Sequence, residues 1–211
     1  MRFAILCMAA FLFWIASVWY IQKENKKNTK KIIFVLYGLM FIVNVAILMS
    51  LYFYHSDNAF ITDLRLLFLC SVLWPIAVRD YKEQIIPNRL VMAGCVFWIC
   101  TVMLQLLIDS QKVFVQFKSS LIAAVGIFVV CLICILIARN SIGMGDVKLF
   151  IMMGLLQGVN GLFSSVFYSL IISFFVACWL LITKRKNRKD GMSFGPSVLI
   201  GTTISIMFGG I

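Results

Sequence analysis

Apolar residues in this chain come in long, nearly unbroken runs separated by short polar stretches. A bilayer-spanning helix needs about 20 mostly apolar residues, whereas a soluble amphipathic helix shows only one apolar stripe. The runs lie at 3–21, 32–54, 64–78, 90–108, 117–138, 149–159, 162–183 and 194–211. The sixth is short and bounded by Gly158 and Gly161, and Gly195-Pro196 interrupts the last one early. This pattern predicts an all-α integral membrane protein of about eight transmembrane helices. The polar stretches are too short for a soluble domain, and no internal repeat or low-complexity tract is present. The first run follows Arg2 as a signal peptide would. However, no A-x-A site ends it and five lysines come directly after it, so it is read as a retained helix.

Composition agrees. Hydrophobic residues make up 63% of the chain and charged ones 13%, against about 25% charged in a soluble domain. The net charge of +11 would suit nucleic acid, but the basic residues sit in short clusters between apolar runs, so that partner is excluded in favour of the lipid bilayer. Alternate polar stretches fall on alternate sides. Residues 22–31, 79–89, 139–148 and 184–190 hold fifteen Lys or Arg, while the other side keeps four: Arg2, Arg65, Lys112 and Lys118. Basic residues gather on the cytoplasmic side, which predicts cytoplasmic placement for the first set and external termini. The seven cysteines lie in apolar runs, and Cys131-x-x-Cys134 has no second pair or His nearby. They are read as packing residues. The single histidine, His55, reads as a loop residue, and no metal site or cofactor is expected.

The acids are Glu24, Asp57, Asp63, Asp80, Glu83, Asp109, Asp146 and Asp190. Most read as solvated loop charges. Asp80 directly follows the third run and Asp146 precedes the sixth, both at a membrane boundary on the cytoplasmic side. Ionisable groups at membrane depth are costly and tend to be functional. The plain alternative pairs Asp80 with Arg79 or Lys82, and Asp146 with Lys148; position alone leaves both readings open. The local sequence adds more. In Gly143-Met144-Gly145-Asp146 the glycines allow a turn or a close backbone approach, which could present the carboxylate to an extended peptide. Asp80 opens a stretch ending in Ile85-Ile86-Pro87-Asn88, where Pro87 suits the first turn of the next helix. Ser193-Phe194-Gly195-Pro196 opens the last run on the same side.

Together these three elements resemble the type IV prepilin peptidases, membrane aspartyl proteases of the GxGD class. That family has an Asp followed six residues later by Leu/Ile-Pro-Asn/Asp, as Asp80 precedes Ile86-Pro87-Asn88 here. Its Gly-Met-Gly-Asp-Xaa-Lys-Leu is matched by residues 143–149, and its Phe-Gly-Pro by Phe194-Gly195-Pro196. Order, spacing and membrane context agree over residues 64–205. The resemblance implies a catalytic membrane domain at 64–211, with Asp80 and Asp146 catalytic. It also implies an active-site loop set of Gly143, Gly145, Lys148, Pro87, Asn88, Gly195 and Pro196. The two helices of 1–63 carry no motif and no assigned role. Long family members insert a domain with paired Cys-x-x-Cys motifs, associated with zinc and N-methylation, after the first helix. The corresponding stretch here, 22–31, has no cysteine, so the resemblance extends to peptidase chemistry and not to methylation.

Two carboxylates sharing a proton can activate water and polarise a peptide carbonyl at once, because like charges side by side resist joint ionisation. By resemblance the substrates are prepilins or pseudopilins, cut on the cytoplasmic side after a basic leader and a Gly, in a bacterial or archaeal cell (inner) membrane. Two rivals are a transporter using Asp80 and Asp146 as ion or proton ligands, and a presenilin-like protease. Transporters usually bind at mid-membrane, and presenilin-like enzymes carry Tyr-Asp where this chain has Asp80-Tyr81.

Overall fold

The computed structural model describes residues 2–24, 30–54, 59–108, 110–137, 142–183 and 193–208. They form seven helices: α1 (Arg2–Glu24), α2 (Lys30–Tyr54), α3 (Phe60–Glu83), α4 (Asn88–Ile108), α5 (Ser110–Ile137), α6 (Met144–Ile182) and α7 (Gly195–Met207). The first six are long and apolar enough to cross a membrane, and α7 is shorter. Of the polar connections expected at 22–31, 55–63, 139–148 and 184–190, residues 25–29, 55–58 (with His55), 139–141 and 184–190 lie outside the described residues. The stretch 109–116, expected as a loop, is helical from Ser110, because no Gly or Pro there stops a helix.

Large apolar side chains point outward on α1, α2, α4, α5 and α6, among them Trp19, Phe53, Leu107, Ile137 and Ile182. Water does not tolerate so much exposed apolar surface on a monomer, whereas lipid does. Helix α3 is the exception. It is buried over 78% of its apolar stretch, against at most 33% for the other five. It packs on α1, α2, α4, α6 and α7 and is the centre of the bundle.

The sixth and seventh apolar runs belong to one 39-residue element, α6, interrupted at Gly158 (φ 74°, ψ −169°). That backbone conformation is open only to glycine. The two arms fold back on each other. Phe150 meets Phe194 at the start of α7, Ser164 meets Ser205 near its end, and Ser169 abuts Gly201 in between. Contact along α7 therefore advances and then retreats as α6 proceeds. Gln157 also donates to Ser165 Oγ at 3.0 Å, although eight residues rise about 12 Å on a straight helix. Ser119 of α5 accepts the Val159 N–H at 3.1 Å, which satisfies a donor at the start of the second arm.

Candidate active site

Asp80 sits in the last turn of α3, 5% exposed. Its carbonyl accepts the N–H of Gln84 at 2.9 Å, and Gln84 adopts a left-handed conformation (φ 53°, ψ 37°) that ends the helix at once. The chain then turns through 85–87. The Pro87 carbonyl accepts the N–H groups of Leu90 (3.1 Å) and Val91 (3.4 Å). Pro87 thus caps α4 from just outside its first turn, one place earlier than expected, and Asn88 begins the helix.

Asp146 lies in the first turn of α6, three residues after the N-cap Gly143. The Gly143 carbonyl accepts the Asp146 N–H at 3.0 Å, and the Gly143 N–H bonds back to the Asp146 carboxylate. This is the acidic half of a capping box, so a carboxylate at this position has a local structural reason as well as a chemical one. Neither Gly143 nor Gly145 uses positive φ; among the described glycines only Gly158 does. Gly145 is needed for closeness instead. A Cβ there would lie 3.2 Å from Ile86 Cβ.

The first turn of α7 completes the site. Gly195 N–H donates to Asp80 Oδ2 at 2.7 Å. A Cβ on Gly195 would come within 2.9 Å of Asp80 Cβ, 3.0 Å of Oδ2 and 3.3 Å of Ala77 Cα, so only glycine allows this approach. Pro196, in the first turn of α7, has no N–H to leave unsatisfied.

The three motifs, far apart in sequence, meet at one end of the bundle. Ile86 packs at Gly145, Lys148 Nζ donates to Asn88 Oδ1 at 3.3 Å, Gly195 holds Asp80, and Phe194 meets Phe150 edge-on at 5.7 Å. Every site residue expected from the sequence lies here. Of the residues in the plain ion-pair readings, Arg79 pairs with Glu83 at 2.9 Å and Lys148 reaches Asn88. Asp80 and Asp146 lie within electrostatic reach of each other. Sequence reasoning missed Ile86 as the wall behind Gly145. Its signal was an apolar residue inside an otherwise polar connection. Among the described residues, no group of three or more His, Cys, Asp or Glu is placed to hold a metal.

One acid, Asp63, departs from its expected role as a solvated loop charge. It is 1% exposed in the first turn of α3, with Oδ2 2.6 Å from an Arg2 guanidinium nitrogen. The helix starts earlier than the apolar run because Phe60 and Ile61 extend it backwards.

The helical bundle, with six helices long and apolar enough to cross a membrane, defines a multi-pass membrane protein with two aspartates at the ends of separate helices within electrostatic reach of each other. More particularly, the chain belongs to the type IV leader peptidase family, whose profile matches residues 67–182. It is also 26% identical over 139 residues to the prepilin leader peptidase/N-methyltransferase of Bacillus subtilis (strain 168). That alignment covers 66% of this chain and 53% of the relative, so the chain spans about half of that protein's length. No solved structure matches the chain.

Proposed function

We propose that this chain is an intramembrane aspartyl endopeptidase that removes the basic leader of prepilin-like substrates at the cytoplasmic face. The observation that carries this reading is the convergence of residues 80–88, 143–149 and 194–196 around two interacting carboxylates. In the reaction, the ionised carboxylate takes a proton from water while the water oxygen bonds to the scissile carbonyl carbon. The protonated carboxylate hydrogen-bonds the carbonyl oxygen and stabilises the developing oxyanion. The C–N bond then breaks, and the leaving amine takes up the proton drawn from water. Gly143, Gly145 and Gly195 set the approach of the three segments, while Lys148, Asn88, Pro87 and Pro196 fix the turns.

In the membrane, the two arms of α6 and the short α7 supply three of eight segments, with both termini external and the site end cytoplasmic. The bias of fifteen basic residues to four supports this orientation. The position of the dyad at one end of the bundle weighs against a transporter, whose site is expected near the midplane.

The test is cleavage by the purified protein in liposomes. The reporter carries a basic leader, a Gly and an apolar helix. Mass spectrometry is expected to show one cut directly after the Gly. No cleavage by folded protein overturns the reading. Cysteine-accessibility labelling checks orientation. Residues 79–89 should label from inside and 55–63 from outside, and external labelling of 79–89 contradicts the proposed substrate geometry.

A further inference from the structure

Helices α1 and α2 have no motif and lie outside the residues that match the family profile, yet they converge on one point of α3. That point is set by Pro75, which lies inside α3. Proline has no N–H, so the carbonyl four residues earlier, that of Ser71, loses its helical donor. In lipid no water can replace it, so another group must. Ser17 of α1 is that group. Its Oγ lies 2.7 Å from the Ser71 carbonyl oxygen, closer than to its own helical carbonyl at Phe13 (2.9 Å). Ser17 is 6% exposed and Ser71 1%. The Ser71 hydroxyl donates to the Leu67 carbonyl of its own helix at 2.9 Å and lies 3.3 Å from Asn44 Oδ1 of α2, whose amide is fixed by the Met40 carbonyl at 2.9 Å. Ser17 of α1 thus donates to the carbonyl that Pro75 leaves open, and Asn44 of α2 lies beside the hydroxyl of the same residue. Asp80 lies five residues beyond Pro75 on the same helix.

We propose that Ser17 is a positioning residue for Asp80. By donating to the Ser71 carbonyl, it fixes the angle at which α3 leaves the proline and so sets where the Asp80 carboxylate meets Gly195 and Asp146. Asn44 supports it from α2. The role of the first two helices is then to hold the catalytic helix in one of the bends open to it, because a proline alone allows several. The proposal rests on the peptidase reading, since its consequence is read in cleavage.

Four variants test it in the liposome cleavage assay, with kcat and KM measured per mole of purified enzyme. Ser17→Ala is expected to lower kcat about tenfold, as a small displacement of a catalytic carboxylate does, with KM unchanged. Ser17→Thr keeps the hydroxyl and should retain most of the rate. Pro75→Ala returns an N–H to the Ser71 carbonyl. Whatever that change does alone, adding Ser17→Ala to it should cost nothing further. An equal loss from Ser17→Ala in both backgrounds, or full activity of Ser17→Ala in the native background, overturns the proposal. So does a Ser17→Thr enzyme as slow as Ser17→Ala. If Ser17→Ala does not accumulate, the comparison of Pro75→Ala with the double variant and the Ser17→Thr rate still decide it. An inactive wild-type protein would instead count against the peptidase reading itself.

Discussion

Helix α3 buries an aspartate near each end, in very different company. Asp63, 1% exposed, faces the Arg2 guanidinium at 2.6 Å. Beside it, Arg65, 3% exposed, donates to Thr101 Oγ1 at 2.8 Å and Gln105 Oε1 at 3.2 Å. Gln105 continues to Gln116 and Gln116 to Thr62, so the network ties α1, α4 and α5 to α3. Asp80, 5% exposed, is met by the neutral Gly195 amide and has a second carboxylate, Asp146, within reach. A carboxylate held by a guanidinium makes a strong charge-assisted hydrogen bond that fixes it in place. One held by a neutral amide beside another acid can pass a proton back and forth. Burial alone therefore does not mark a reactive acid; the charge of its neighbours does.

That contrast can be broken at several points. The largest effect is expected at Asp146→Asn, which should cut cleavage by roughly a thousandfold or more, as loss of a member of a catalytic unit does. Immunoblotting for the mature reporter reads it, and near-native processing would remove Asp146 from the pair. Its cap on α6 is a separate matter, because Asn bonds the Gly143 N–H almost as well. Next is Gly195→Ala. The added Cβ must push Asp80 or Ala77 away, and a displacement of about 1 Å is worth on the order of a hundredfold in kcat. Steady-state kinetics check it, with circular dichroism showing the helices intact. Gly143→Ala should be much milder, because Gly143 is extended (φ −68°) and its Cβ would meet only the Asp146 carboxylate, at 3.1 Å.

At the other end the effect moves from rate to stability. Arg2→Ala should lower thermal stability in detergent by about 1–3 kcal/mol, the worth of a charged hydrogen bond to a buried partner. The rate measured below the transition should stay close to native. A large loss of rate with unchanged melting would mean that the far end also serves chemistry. The smallest effect is expected at Lys148→Met. It removes an exposed hydrogen bond and should change kcat/KM by at most about fivefold, since exposed charged contacts are worth about 1 kcal/mol or less. A hundredfold loss would give Lys148 a direct role in the reaction.

Much of the site was legible in the sequence because its chemistry is local. Asp80 with Ile86-Pro87-Asn88 spans the one short connection from α3 to α4, and Gly143 to Leu149 and Phe194-Gly195-Pro196 each lie at the start of one helix. What was not legible depends on neighbours distant in sequence. Nothing around Gly158 distinguishes a loop between two helices from a one-residue corner within one. Asp63 read as a loop charge because its partner, Arg2, is sixty-one residues away. Gly195 was flagged with its motif, but the 2.7 Å bond to Asp80 spans 115 residues. The glycines of residues 143–146 suggested either a turn or a close backbone approach, and the sequence did not distinguish the two; the close approach depends on Ile86, nearly sixty residues earlier in the chain, and Gly143 serves as the N-cap of α6.

The central claim is that Asp80 performs chemistry and that Asp63, on the same helix and as deeply buried, does not. Its most direct test is to purify Asp80→Asn and Asp63→Asn side by side and measure both cleavage rate and melting temperature in one lipid composition. The account predicts that Asp80→Asn melts close to the native protein and does not cleave, whereas Asp63→Asn cleaves at close to the native rate and melts lower. Cleavage by Asp80→Asn at a near-native rate would contradict it.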